Sequence, residues 1–66
     1  MDLYYVHDGV DNEGQHEVHK DSCFKLPNDK TYLGYYSNSK DAVAKAKTIY
    51  INSDGCCHCC KDADTD

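Results

Sequence analysis

A chain of 66 residues with 12 acidic side chains, seven lysines, no arginine and a net charge of −5 has room for one small domain. It is too short for a Rossmann unit, a barrel or a second domain, and too acidic to grip nucleic acid through its phosphates. No apolar run approaches the ~20 residues of a membrane span, and the start, Met1-Asp2-Leu3-Tyr4-Tyr5, lacks the basic and apolar stretches of a secretory signal, so the expected compartment is the cytoplasm.

Residues 3–7, Leu-Tyr-Tyr-Val-His, are rich in aromatic and β-branched side chains and predict a strand. Residues 8–14 are polar and hold two glycines, which predicts a turn or hairpin loop. His16-Glu17-Val18-His19 is the returning strand, with His16 and Val18 on one face and Glu17 and His19 on the other. Residues 20–30 read as irregular, anchored by Cys23, Phe24 and Leu26, with Pro27-Asn28-Asp29 as a turn. Residues 31–36, Thr-Tyr-Leu-Gly-Tyr-Tyr, predict a third strand, and Gly34 inside it predicts a bulge or a close backbone approach.

Ser37-Asn38-Ser39 then offers helix caps. Ala42, Val43, Ala46, Ile49 and Tyr50 share one helical face, while Lys40, Asp41, Lys45 and Lys47 take the other. Asn52-Ser53-Asp54-Gly55 stops the helix, and a cysteine cluster follows it. The expected architecture is α+β: a small antiparallel sheet of about three strands, one helix in the C-terminal half and a cysteine turn. Residues 1–60 form the single mini-domain, and 61–66 an acidic, disordered tail.

The core available to such a domain is thin. There is one Phe and no Trp, and the six tyrosines bring hydroxyls that need partners. Chains below ~70–80 residues usually add disulfides, a metal or a second subunit. Five cysteines are present, four of them between positions 56 and 60. Five is an odd count, and four packed together are badly placed to staple separate regions by disulfides. Cys56-Cys57-His58-Cys59-Cys60 contains two overlapping C-x-x-C pairs, and a C-x-x-C turn lets two thiolates converge on one ion. A structural site needs four donors, and His19-x3-Cys23 supplies the missing two from the other half of the chain. Thiolates with imidazole select zinc over magnesium or calcium. Spacing leaves the choice between Cys56/Cys59 and Cys57/Cys60 open. His16 is a rival donor at a looser spacing, His58 reads as an exposed turn residue, and His7 as a partly buried hydrogen-bonding one.

The run His16-Glu17-Val18-His19, Cys23, Leu26-Pro27, Tyr32-Leu33-Gly34-Tyr35-Tyr36-Ser37, the Ala42/Val43/Ala46 helix and Gly55-Cys56…Cys59-Cys60 resembles a family of short bacterial proteins with no assigned activity. More distantly, the chain is similar to the zinc-binding domain of the Ada DNA-repair protein and related zinc modules. That resemblance implies one structural zinc on His19, Cys23, Cys56 and Cys59. It does not imply alkyl transfer, because the alkyl-accepting cysteine of that domain corresponds to His19 here.

Three functions follow as expectations. The first is a zinc-stapled module that binds a protein partner. The second is a thiol-based redox or metal-handling protein using the C-terminal cluster. The third is a nucleic-acid-associated zinc module, which the acidic charge disfavours. No catalytic set stands out: the carboxylates are scattered on turns, there is no phosphate loop, and His16-Glu17-Val18-His19 falls one residue short of H-E-x-x-H.

Overall fold

The structure is a computed structural model and describes residues 1–63. Three strands, a helix, a fourth strand and a single 3-10 turn follow one another: β1 (Asp2–His7), β2 (His16–Lys20), β3 (Lys30–Tyr36), α1 (Ser39–Ala46), β4 (Ser53–Gly55) and the turn Lys61–Ala63. The strand order in the sheet is β3-β1-β2-β4. Alternation decides the faces. Tyr4 and Val6 of β1, Val18 of β2 and Leu33 of β3 point to the side covered by α1, where they meet Ala42, Val43 and Ala46. Leu3, Tyr5 and His7 alternate to the other side, as do Glu17 and His19.

β1 pairs antiparallel with β2, placing Tyr5 opposite His19, and with β3 on its other edge. The loop between β1 and β2 is held by Asp11, whose carboxylate accepts the amides of Glu13 at 2.8 Å and Gln15 at 2.9 Å. The bulge predicted at Gly34 is present. Tyr4 pairs with Gly34 but Tyr5 pairs with Tyr32, so Leu33 is left over on β3. Gly34 sits at φ 115°, a conformation that a side chain would strain.

Among the three cap candidates the chain uses Asn38, whose side chain accepts the amide of Asp41 at 2.8 Å. The Asp62 carboxylate accepts the Ser39 amide at 3.2 Å, and hydrogen bonding with Ser39 holds Asp62 below its usual range. The 3-10 turn is thereby tied to the start of α1. Ala63 is buried, so the expected tail begins with an ordered, packed turn at residues 61–63, and residues 64–66 lie outside the described residues.

Two features differ from the expected architecture. The helix ends at Ala46, before Ile49 and Tyr50 can join its apolar face. Beyond it the backbone tightens into i→i−3 turns, with the Thr48 amide on the Lys45 carbonyl at 3.1 Å and the Ile49 amide on the Ala46 carbonyl at 2.9 Å, and the Thr48 hydroxyl donates to the same Lys45 oxygen at 2.6 Å. Ile49 is left exposed, while Tyr50 turns back and stacks on His16 with ring centroids 3.8 Å apart. The sheet is also mixed and four-stranded, not purely antiparallel. Residues 53–55 do more than stop the helix: they run parallel to β2, with Ser53 beside His16 and Gly55 beside Val18. The excursion through β3 and α1 supplies the long connection that parallel pairing requires. Phe24, expected as an anchor, is 78% exposed, with His58 edge-on to its ring and the Lys25 ammonium 6.0 Å from the ring centre. Among the described residues no helix is long and apolar enough to cross a membrane.

Candidate metal centre

The site forms where β2 and β4 end side by side. Strand alternation sets His19 on the face opposite Val18. The chain then turns back, with the Cys23 amide donating to the Lys20 carbonyl at 3.0 Å, and this brings the Cys23 thiol towards His19. From the other half, the ladder of β4 continues one residue further: the Cys56 amide donates to the Val18 carbonyl at 2.9 Å. Cys56 is therefore positioned by the sheet. A turn follows, closed by the Cys60 amide on the Cys56 carbonyl at 2.9 Å, and it carries Cys59 back to β2.

These elements bring together His19, Cys23, Cys56 and Cys59. One donor atom from each lies within 4.8 Å of all the others. Zn–S bonds of about 2.3 Å and Zn–N bonds of about 2.0 Å place tetrahedral donors within ~4 Å of one another. The cluster thus surrounds a space of ionic size and needs only a small contraction to close on an ion. His19 presents Nδ1 to the Cys59 thiol, 3.9 Å from its Sγ. Its Nε2 lies 3.5 Å from Glu17 Oε1.

The electrostatics suit a cation that displaces protons. Burial, reinforced by His7 and Lys25, lowers the pKa of His19 to about 4, so its imidazole is neutral at pH 7 and keeps a free lone pair. Burial also pushes the thiols of Cys56 and Cys59 up. Backbone amides oppose that effect: His58 N–H donates to Cys56 Sγ and Lys20 N–H to Cys59 Sγ, each at 3.4 Å. Such amides favour the thiolate form, and a divalent ion supplies the larger share of the charge needed.

The remaining candidates fall elsewhere. His16 is stacked on Tyr50 and directs Nδ1 at the His7 carbonyl, 3.1 Å away. His7 pairs with Asp29 at 3.1 Å, as a partly buried hydrogen-bonding residue should. His58 is exposed on the turn. Cys57 is exposed as well, while Cys60 is buried in the core with its Sγ 3.7 Å from that of Cys59. All five cysteines are free thiols. Two contributors escaped the sequence reading. The Lys20 amide carries no side-chain signal. Glu17 did leave one, since it lies two residues before His19 and on the same face.

Gly55 shows how tightly the turn is seated. A Cβ there would lie 2.8 Å from the Cys60 carbonyl oxygen and 2.9 Å from the backbone of Ala63. Neither backbone group can yield without moving the turn. Gly55→Ala is therefore expected to destabilise the domain by about 1–3 kcal/mol and to weaken metal uptake in the same protein. Thermal melting followed in parallel with a metal titration measures both, and an unchanged melt contradicts this packing.

No protein family, curated protein or solved structure matches the chain.

Proposed function

We propose that this chain is a small structural-zinc module which binds one Zn2+ through His19, Cys23, Cys56 and Cys59 and presents its surface to a protein partner. One observation carries the reading: an imidazole and three thiols, drawn from positions more than 30 residues apart, converge within 4.8 Å of one another. Three soft sulfur donors with one nitrogen favour zinc over the hard cations. Four protein donors complete a tetrahedron and leave no position for a reacting water, so the ion is structural. The Ada-like resemblance of the motif points to the same four residues. Free thiols at all five cysteines fit a reducing cytoplasm.

The partner is read as protein from what the surface offers. Tyr32 and Tyr35 stand exposed on β3, an edge strand of the sheet, and Phe24 stands exposed beside the metal centre. Exposed aromatics are the side chains that interfaces favour. A net charge of −5 and the absence of arginine weigh against nucleic acid.

A thiol-redox role has one observation in its favour, the 3.7 Å contact between Cys59 and buried Cys60. Burial weakens it, because a raised thiol pKa leaves little nucleophilic thiolate.

Native mass spectrometry separates the readings. One zinc per chain, lost to a chelator, is the expected result. A chain that takes up no zinc under reducing conditions but forms an internal disulfide with peroxide belongs to the redox reading instead.

A further inference from the structure

We propose that Glu17 is the positioning residue of the metal site: its carboxylate takes the Nε2–H of His19 and so fixes Nδ1 as the atom that meets the ion. This rests on the zinc reading of the cluster and adds to it the tautomer of His19 and the residue that selects it.

A neutral imidazole has one N–H and one lone pair. A metal takes the lone pair, so the proton resides on the other nitrogen, and the acceptor found there decides which nitrogen coordinates. In this structure the two nitrogens of His19 face different chemistry. Nδ1 faces the thiol of Cys59, 3.9 Å from its Sγ. Nε2 looks at a carboxylate, with Glu17 Oε1 at 3.5 Å. The ring is nearly inaccessible to water, its side chain only 2% exposed, so its N–H depends on a protein acceptor.

Glu17 is well placed for that task. Residues two apart on a strand share a face, so β2 itself sets the pairing of Glu17 with His19. β4 flanks this stretch, with Asp54 beside Glu17 in the parallel register. The Glu17 side chain is 31% exposed and borders a recess that it shares with Asp54 and Cys57. Water reaches the carboxylate there, so its charge is not stranded in the core. The gap of 3.5 Å exceeds a formed N–H···O bond, which spans 2.7–3.2 Å. A cation on Nδ1 makes the Nε2–H more acidic and draws the flexible carboxylate in. Carboxylate–histidine–metal triads of this form fix the ring and raise the basicity of the ligand, and loss of the carboxylate typically costs about 10–100-fold in affinity.

The test uses the full chain, with Co2+ as an optical probe of thiolate coordination and Zn2+ in competition with a chromophoric chelator. Glu17→Gln keeps an acceptor oxygen without the charge and is expected to weaken binding about tenfold. Glu17→Ala removes both and should approach a hundredfold loss. Glu13→Gln, which removes an acidic charge from the neighbouring loop, should leave affinity within twofold. In zinc-loaded wild-type protein, 15N-edited NMR of the imidazoles is expected to show His19 coordinated through Nδ1 with its proton on Nε2. Coordination through Nε2 overturns the proposal, even where the variants fold poorly. So does unchanged affinity in both Glu17 variants, or an equal loss in Glu13→Gln, which would make the effect one of net charge. A wild-type chain that binds neither ion takes down the zinc reading itself. Binding that ignores Glu17 takes down only this inference.

Discussion

Stripping the zinc from the loaded protein is expected to unfold it. Among the described residues the buried apolar set is Tyr4, Val6, Val18, Leu33 and Val43 with three alanines and three cysteines. Two of those cysteines, Cys23 and Cys56, belong to the candidate metal cluster, so part of the core is that cluster itself. Few large side chains remain to resist the conformational entropy of the chain. Structural zinc in finger peptides binds with about 10–16 kcal/mol at neutral pH, as much as the entire net stability of a typical domain, about 5–15 kcal/mol. Circular dichroism and NMR dispersion should therefore collapse when chelator is added and return when Zn2+ is restored. A metal-free chain that melts within a few degrees of the loaded one removes the case for a staple.

Acid should have the same effect, with a defined sign. An ion held by thiolates competes with protons for them, so its affinity is expected to fall as pH falls. In the chain without an ion His19 acts in the same direction. Its pKa is about 4 in the folded chain against an ordinary 6.5, so the unfolded chain takes up the proton first. The stability that His19 contributes is complete above 6.5 and is lost as pH drops from there towards 4. Cys56 and Cys59 act at the other limit. Without the ion, burial holds both thiols above 9.0, so beyond that pH the unfolded thiols ionise first and the metal-free chain is driven further towards the unfolded state.

What the sequence revealed, and what it hid, divides along local and non-local lines. β1, β2 and β3 carry their alternation in a few consecutive residues, and Gly34 marks its bulge because no other residue tolerates that φ cheaply. β4 left no such trace. Ser53-Asp54-Gly55 has no apolar pattern, and it becomes a strand only because β2 offers it a backbone ladder. The helix periodicity ran on through Ile49 and Tyr50, but beyond Lys47 the backbone tightens into i→i−3 turns, Thr48 on Lys45 and Ile49 on Ala46, and the helix stops sooner. The four donors were legible as residue types at spacings. Which C-x-x-C pair meets His19 and Cys23 was not, because the two pairs are equivalent along the chain. The choice is made by register: the Cys56 amide on the Val18 carbonyl extends the β4 ladder, and that fixes the phase of the turn after it.

The phase of the turn makes the second large prediction, a contrast among neighbouring cysteines. His19→Ala, Cys23→Ala and Cys56→Ala are each expected to abolish tight zinc binding, since each removes one of four donors and opens the tetrahedron. Cys57→Ala should bind zinc like the wild type, because its thiol is turned out to solvent. Cys60→Ala should keep the ion but cost about 1 kcal/mol in stability through lost packing. Cys59 is the informative position. Its neighbour Cys60 holds a buried thiol only 3.7 Å away, so a small rotation of the turn can offer that sulfur in its place. Cys59→Ala should therefore weaken binding less than Cys56→Ala, and the double variant Cys59→Ala/Cys60→Ala should lose it entirely. Titrations of the single and double variants against a zinc chelator measure that order. If Cys57→Ala and Cys60→Ala abolish binding while Cys56→Ala and Cys59→Ala do not, the ion sits on the other pair and the register argument fails. If all four single variants bind alike, the C-x-x-C turn is not the site at all.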